Sequence, residues 1–189
     1  MVKIQQAIRK LQQAAGQGAS TQELQEELAG FLGQTMAARV AHLEELVAAN
    51  PNDYPPQTVQ QVRTFMSQGD AAFAAGNYES AVFNYRQAQQ RVLELDREIP
   101  VVTAVSPAGL VTNDDTPQIV FQYIDLLGLI RTSGVRIFLD GVEYTNTPSA
   151  QVGPFQVVLN VAQPLTEGPH TVRVVVPDTA VNVNVADVT

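Results

Sequence analysis

The sequence predicts an α+β protein built as two domains, an all-α helical bundle over residues 1–98 and an all-β sandwich over residues 99–189. Three observations lead there. Composition changes abruptly near Ile99 and Pro100: 15 Gln and many Ala and Leu lie before that point, whereas the rest is rich in Val and Thr, with Pro and Gly at short intervals. Apolar residues recur with a helical period in the first part and alternate with polar ones in the second. The 189-residue chain is also 45% hydrophobic and 16% charged, against about 25% charged for an average soluble domain. It has the apolar material for real cores and is no disordered tail.

Four helices are expected in the first domain. The first spans about Val2–Ala15, with Ile4, Ile8, Leu11 and Ala15 on one face, and ends at Gly16 and Gly18. Ser20 and Glu23 have capping-box spacing for the second. Its apolar stripe is Leu24, Leu28, Phe31, Leu32, Val40, Leu43 and Val47, with Gly30 and Gly33 as points where it bends or splits. Asn50 and Pro51 end it, and PNDYPP is a loop. The third spans about Gln57–Ala75 with Val59, Val62, Phe65, Met66 and Phe73 inward. Gly76 and Asn77 turn the chain into a fourth, from Tyr78 to about Arg97.

Within residues 65–95, Gly69 and Ala71 precede the turn Gly76-Asn77-Tyr78, and Ala81, Tyr85 and Ala88 follow it. This pattern resembles a single tetratricopeptide-type helical hairpin, in which small residues let two helices approach and aromatics fill the groove. A peptide-binding array needs about three such units. An antiparallel hairpin packed on the preceding helices is therefore expected.

The second domain shows short strands separated by turn residues. They are expected at Ile99–Val105, Gln118–Ile124, Val135–Leu139, Val142–Tyr144, Phe155–Val161, His170–Val176 and Val181–Val188, with Leu110–Val111 as a short extension. Asp140-Gly141 between two apolar runs is a strong hairpin signal. This density suits an immunoglobulin-like sandwich. Thr116-Pro117 before a strand, the Asp140-Gly141 hairpin, and Leu165, Gly168, His170 and Val172 opening a late strand resemble bacterial immunoglobulin-like domains over about residues 100–180. The pattern departs from that family after Asp178, where TAVNV replaces the usual Ala-Gly-Asn turn.

Chemistry is sparse. The chain has no Cys, only His42 and His170, and a net charge of −8. Disulfides, thiolate metal sites and a Cys nucleophile are excluded. The charge is −3 before residue 99 and −5 after it, so neither domain carries a nucleic-acid footprint. No Gly-rich phosphate loop, nucleophile elbow or metal-spaced cluster is present. His170 is expected to bond locally at a strand opening, and His42 to be solvated beside Glu45. Asp114, Asp115, Asp125 and Asp140 are expected as turn formers rather than as calcium ligands. No enzyme activity, metal or cofactor is expected.

Before Thr21 the only charged side chains are Lys3, Arg9 and Lys10, in a chain otherwise acidic. With Gln5 and Gln12 they form the expected partner-binding face, suited to an acidic protein surface; the weak apolar side argues against membrane insertion. The opening MVKIQQAIRKL is unlike a secretory signal, and no run reaches the roughly 18 apolar residues of a membrane span. A helical anchor joined to an immunoglobulin-like domain is similar in architecture to tailed-phage capsid decoration proteins. The resemblance implies a non-enzymatic virion protein assembled in the host cytoplasm. It would dock on a protein lattice such as a major capsid protein, with the sandwich outward for weak host-surface contacts. The alternatives are a bacterial cell-surface or extracellular adhesion protein and a helical-repeat peptide-binding adaptor.

Overall fold

Helical periodicity resolves into three α-helices, α1 (Thr21–Ala49), α2 (Pro56–Ala74) and α3 (Tyr78–Leu95), in the computed structural model, which describes residues 21–107 and 112–189. The helix expected over 2–15, Ser20 of the capping box and the Leu110–Val111 extension lie outside the described residues. One unit of the chain ends at Leu95 and a second begins at Asp96.

Helix α1 runs unbroken for 29 residues across Gly30 and Gly33, where a bend or split was expected. The reason lies in its neighbours. A Cβ built on Gly33 would stand 2.9 Å from the Tyr85 ring, and one on Gly69 of α2 would stand 2.5 Å from it. The two glycines thus form a notch that admits the Tyr85 ring of α3 against both helices. Its hydroxyl donates to Asp70 Oδ1 at 2.9 Å, and burial, then this bond, push its pKa up to about 12. The buried line of α1 follows Ala29, Met36 and Leu43. Leu28, expected on the apolar stripe, stands beside this seven-residue repeat and is exposed.

Between α2 and α3 the chain closes as a Schellman turn. Asn77 N–H donates to Ala72 O and Gly76 N–H to Phe73 O, while Gly76 takes φ +74°, a left-handed conformation that favours glycine. Asn77 then caps α3, its Oδ1 accepting from Ser80 N–H at 3.2 Å. Gly69, Ala81, Tyr85 and Ala88 are buried along the hairpin. Ala71 is exposed, because it lies two residues from Gly69 and so on another face of α2.

The second unit contains β1 (Val101–Ser106), β2 (Gln118–Ile124), β3 (Arg136–Leu139), β4 (Val142–Glu143), β5 (Ala150–Val152), β6 (Gln156–Asn160), β7 (Val172–Pro177) and β8 (Val185–Val188). They form two antiparallel four-stranded sheets, ordered β1-β2-β6-β5 and β4-β3-β7-β8. Period-two alternation sends Ile119, Phe121, Tyr123, Val157 and Leu159 from one sheet, and Ile137, Leu139, Val174 and Val176 from the other, into one shared core. The β3–β4 turn has positive φ at both Asp140 (50°) and Gly141 (81°), the type I′ geometry matched to strand twist. Strand β5 was not expected; at three residues it is too short to show a period. Conversely, the strand expected over Val181–Val188 begins only at Val185, because residues 178–184 fold into a loop around the Asp178 carboxylate.

Candidate functional site

The residues expected to bind a partner, Lys3, Gln5, Arg9, Lys10 and Gln12, lie outside the described residues. Within them, the densest convergence of titratable groups is at one end of the sandwich. Asp125 follows the last residue of β2, Asp178 follows the last of β7, and Asp96 precedes the segment leading into β1. Each offers a carboxylate oxygen, and these three oxygens lie within 4.8 Å of one another.

Backbone geometry holds each carboxylate in place. Asp125 Oδ1 accepts from Leu127 N–H at 3.0 Å and from Gly128 N–H at 2.6 Å, the local bonding that Asp favours after a strand. Asp178 Oδ1 accepts from Ala180 N–H and Asn184 N–H, both at 3.0 Å, and its Oδ2 accepts from Asn184 Nδ2 at 2.7 Å. Asp96 Oδ1 accepts from Glu98 N–H at 3.0 Å. The loops are stapled to each other as well: Thr179 N–H donates to Leu129 O at 2.8 Å and Arg131 N–H to Pro177 O at 2.9 Å.

Asp96 differs from the other two. It is only 1% exposed, yet its Oδ2 is buried without a hydrogen-bond partner. Burial is the largest influence on its acidity and the charge of Asp125 the next; together they push its pKa up to about 7, against a lowering by the Glu98 N–H. Gly128 borders the same spot. A Cβ there would stand 2.9 Å from Asp96 Oδ2 and 3.1 Å from Asp125 Oδ2, so these oxygens crowd a spot that only glycine leaves open.

The acidic residues singled out from sequence divide. Asp114 Oδ1 accepts from Thr116 N–H at 2.9 Å, a turn-forming role. Asp140 Oδ1 accepts from Thr171 N–H at 2.8 Å, and its Oδ2 lies 2.7 Å from His170 Nδ1. His170 Nε2 is 2.9 Å from Thr166 O. Both ring nitrogens are thus engaged, in keeping with the local role expected of this residue. His42 lies 3.6 Å from Glu45. Asp125 alone of that set joins the cluster. Asp96 escaped notice because it reads as the end of a helix, and Asp178 because it reads as a turn. The change after Asp178 from the usual turn to TAVNV was the available signal.

No family model, curated protein or solved structure matches this chain. No helix among the described residues is long and apolar enough to cross a membrane.

Proposed function

We propose that this protein acts by binding rather than by turnover: a virion decoration protein whose helical unit docks on a repeating protein surface while its immunoglobulin-like sandwich faces outward. The observation that carries this reading is the division of one short chain into a helical unit and a separate two-sheet unit, a layout that suits an anchor and a projecting module. Two further features support it. Gln-rich helical faces suit a polar interface, since Gln donates and accepts without the desolvation cost of a charge. Phe83 on α3 is 60% exposed, and a solvent-facing aromatic on a helix is a typical anchor for a partner pocket. Copies on a lattice add avidity, so weak single contacts suffice.

The test is fractionation of a lysate from the cells that make the protein, followed by chemical cross-linking. Co-sedimentation with a particle, with cross-links mapping to residues 1–95, is expected. Recovery with the cell envelope and no particle would favour the adhesion protein instead. Capture of a short linear peptide that needs only the helical hairpin would favour the adaptor.

A further inference from the structure

We propose that Asp96, Asp125 and Asp178 form a calcium site at the end of the sandwich, a role independent of what the helical unit docks on. The three carboxylate oxygens lie within 4.8 Å of one another. Two ligands on opposite sides of a calcium ion, with Ca–O distances of about 2.4 Å, are about 4.8 Å apart. Three oxygens within 4.8 Å of one another share a point no more than about 2.8 Å from each, so side-chain shifts of a few tenths of an ångström bring all three to Ca–O distance without displacement of the strands that carry them.

The hydrogen bonds around the cluster act as its supporting shell. Asp96 and Asp125 each hold one oxygen on backbone N–H groups and turn the other toward the same place, and Asp178 is clamped by Ala180 and Asn184. Bonds of this kind orient ligands before a metal arrives. The independent observation is Asp96 itself, a carboxylate 1% exposed with a buried Oδ2 that no protein donor meets. A buried carboxylate oxygen is costly unless a donor or a cation compensates it, and here it points at two further carboxylates.

The donor set is all oxygen, which selects a hard cation. Calcium accepts irregular polyhedra of about six to eight oxygens, whereas magnesium demands a near-ideal octahedron at about 2.0–2.1 Å and gives up water reluctantly. Three carboxylates from separate chain segments, around a spot that the lack of a side chain at Gly128 leaves open, favour the larger ion. Backbone carbonyls and water supply the remaining positions. By binding there, the ion ties the segment at Asp96–Glu98 to the loops that follow β2 and β7.

Thermal unfolding of the full chain tests this, read by the β-sheet signal after treatment with EDTA. Calcium is expected to raise the midpoint by several degrees, saturably, with half the effect at roughly 0.1–1 mM. Calorimetric titration is expected to give one ion per chain. Magnesium at equal concentration, and sodium chloride at equal ionic strength, are expected to do much less. Asp96→Asn removes the buried charge at constant shape, so its midpoint in EDTA should equal or exceed that of the unmodified chain while the calcium increment disappears. Asp125→Asn provides a second variant with the same expected loss of increment. The double variant Asp114→Asn, Asp115→Asn should keep the increment. A midpoint indifferent to calcium up to about 10 mM, an equal response to magnesium, or an increment that survives in both Asp96→Asn and Asp125→Asn would overturn the assignment.

Discussion

Glycine shows at the single-residue scale how neighbours decide what a side chain does. Gly→Ala in a helix interior ordinarily stabilises by about 0.5–1 kcal/mol. At Gly30 the nearest atom to a built Cβ is a Phe73 ring carbon at 3.6 Å, so Gly30→Ala is expected to follow that rule. At Gly69 the Cβ would stand 2.5 Å from the Tyr85 ring, and overpacking of a buried aromatic costs about 1–3 kcal/mol. Gly69→Ala is therefore expected to destabilise. Urea denaturation of the two variants checks the opposite signs, and two changes of the same sign would refute the Tyr85 notch. The role of Gly69 was legible from the hairpin pattern, whereas Gly30 and Gly33 read alike as breaks; the difference between those two lies in which aromatic arrives from another helix, Phe73 at Gly30 and Tyr85 at Gly33.

The His170–Asp140 pair makes a residue-scale prediction about pH. The His170 pKa is raised, first by the Thr166 carbonyl and then by Asp140; that of Asp140 is lowered, first by the Thr171 N–H and then by His170. A raised histidine stabilises the fold fully below its ordinary value of 6.5 and loses that contribution as pH rises through the folded-state value. A lowered aspartate contributes above its ordinary 3.8 and loses the contribution as pH falls through its depressed value. The pair is thus at full strength between 3.8 and 6.5. An NMR titration of the His170 ring should give a midpoint above 6.5 that moves down in Asp140→Asn; an unmoved midpoint would mean that the contact does not persist in solution.

Turns carry the clearest information at the scale of elements. Asp140-Gly141 and Gly76-Asn77 were readable because their conformations demand those residue types, and both turns form. Gly141 takes φ 81° with open space around it, so Gly141→Ala tests backbone strain without a steric clash. It is expected to cost about 1 kcal/mol, measured as a lowered midpoint of the sandwich's unfolding; no loss would contradict the type I′ turn. The strands with alternating faces, β2, β3, β6 and β7, were legible for the same kind of reason. Strand β5 and the late start of β8 were not. Three residues carry no usable period, and the Val-rich run after Asp178 has strand propensity that hydrogen bonding to a carboxylate overrides. The carboxylate cluster was illegible for a related reason: Asp96, Asp125 and Asp178 are brought together only by the pairing of sheets, and no spacing in the chain announces them.

The whole molecule joins a helical unit to a two-sheet unit, both acidic. The α+β layout in two parts was legible from composition alone, since Gln, Ala and Leu on one side of Ile99 and Val, Thr and Pro on the other need different periods to bury their apolar faces. No partner of the helical unit was legible, because docking on a protein surface requires complementarity of shape and has no residue motif to quote. On the proposed reading the exposed Phe83 lies in the docking interface, and Phe83→Ala is expected to weaken attachment at least tenfold, a cost of about 1.4 kcal/mol or more at each contact. Its effect on stability should be small, given that the ring is 60% exposed. Competition between the unmodified chain and the variant for particles would measure the ratio, and equal retention would remove Phe83 from the interface.

Imaging of particles purified from the cells that make this protein tests the proposed binding reading most directly. Regular copies on a capsid, with the helical unit against the lattice and the sandwich facing solvent, are the predicted result. Particles without the protein, or a lattice that meets the sandwich while the helices face outward, would contradict it.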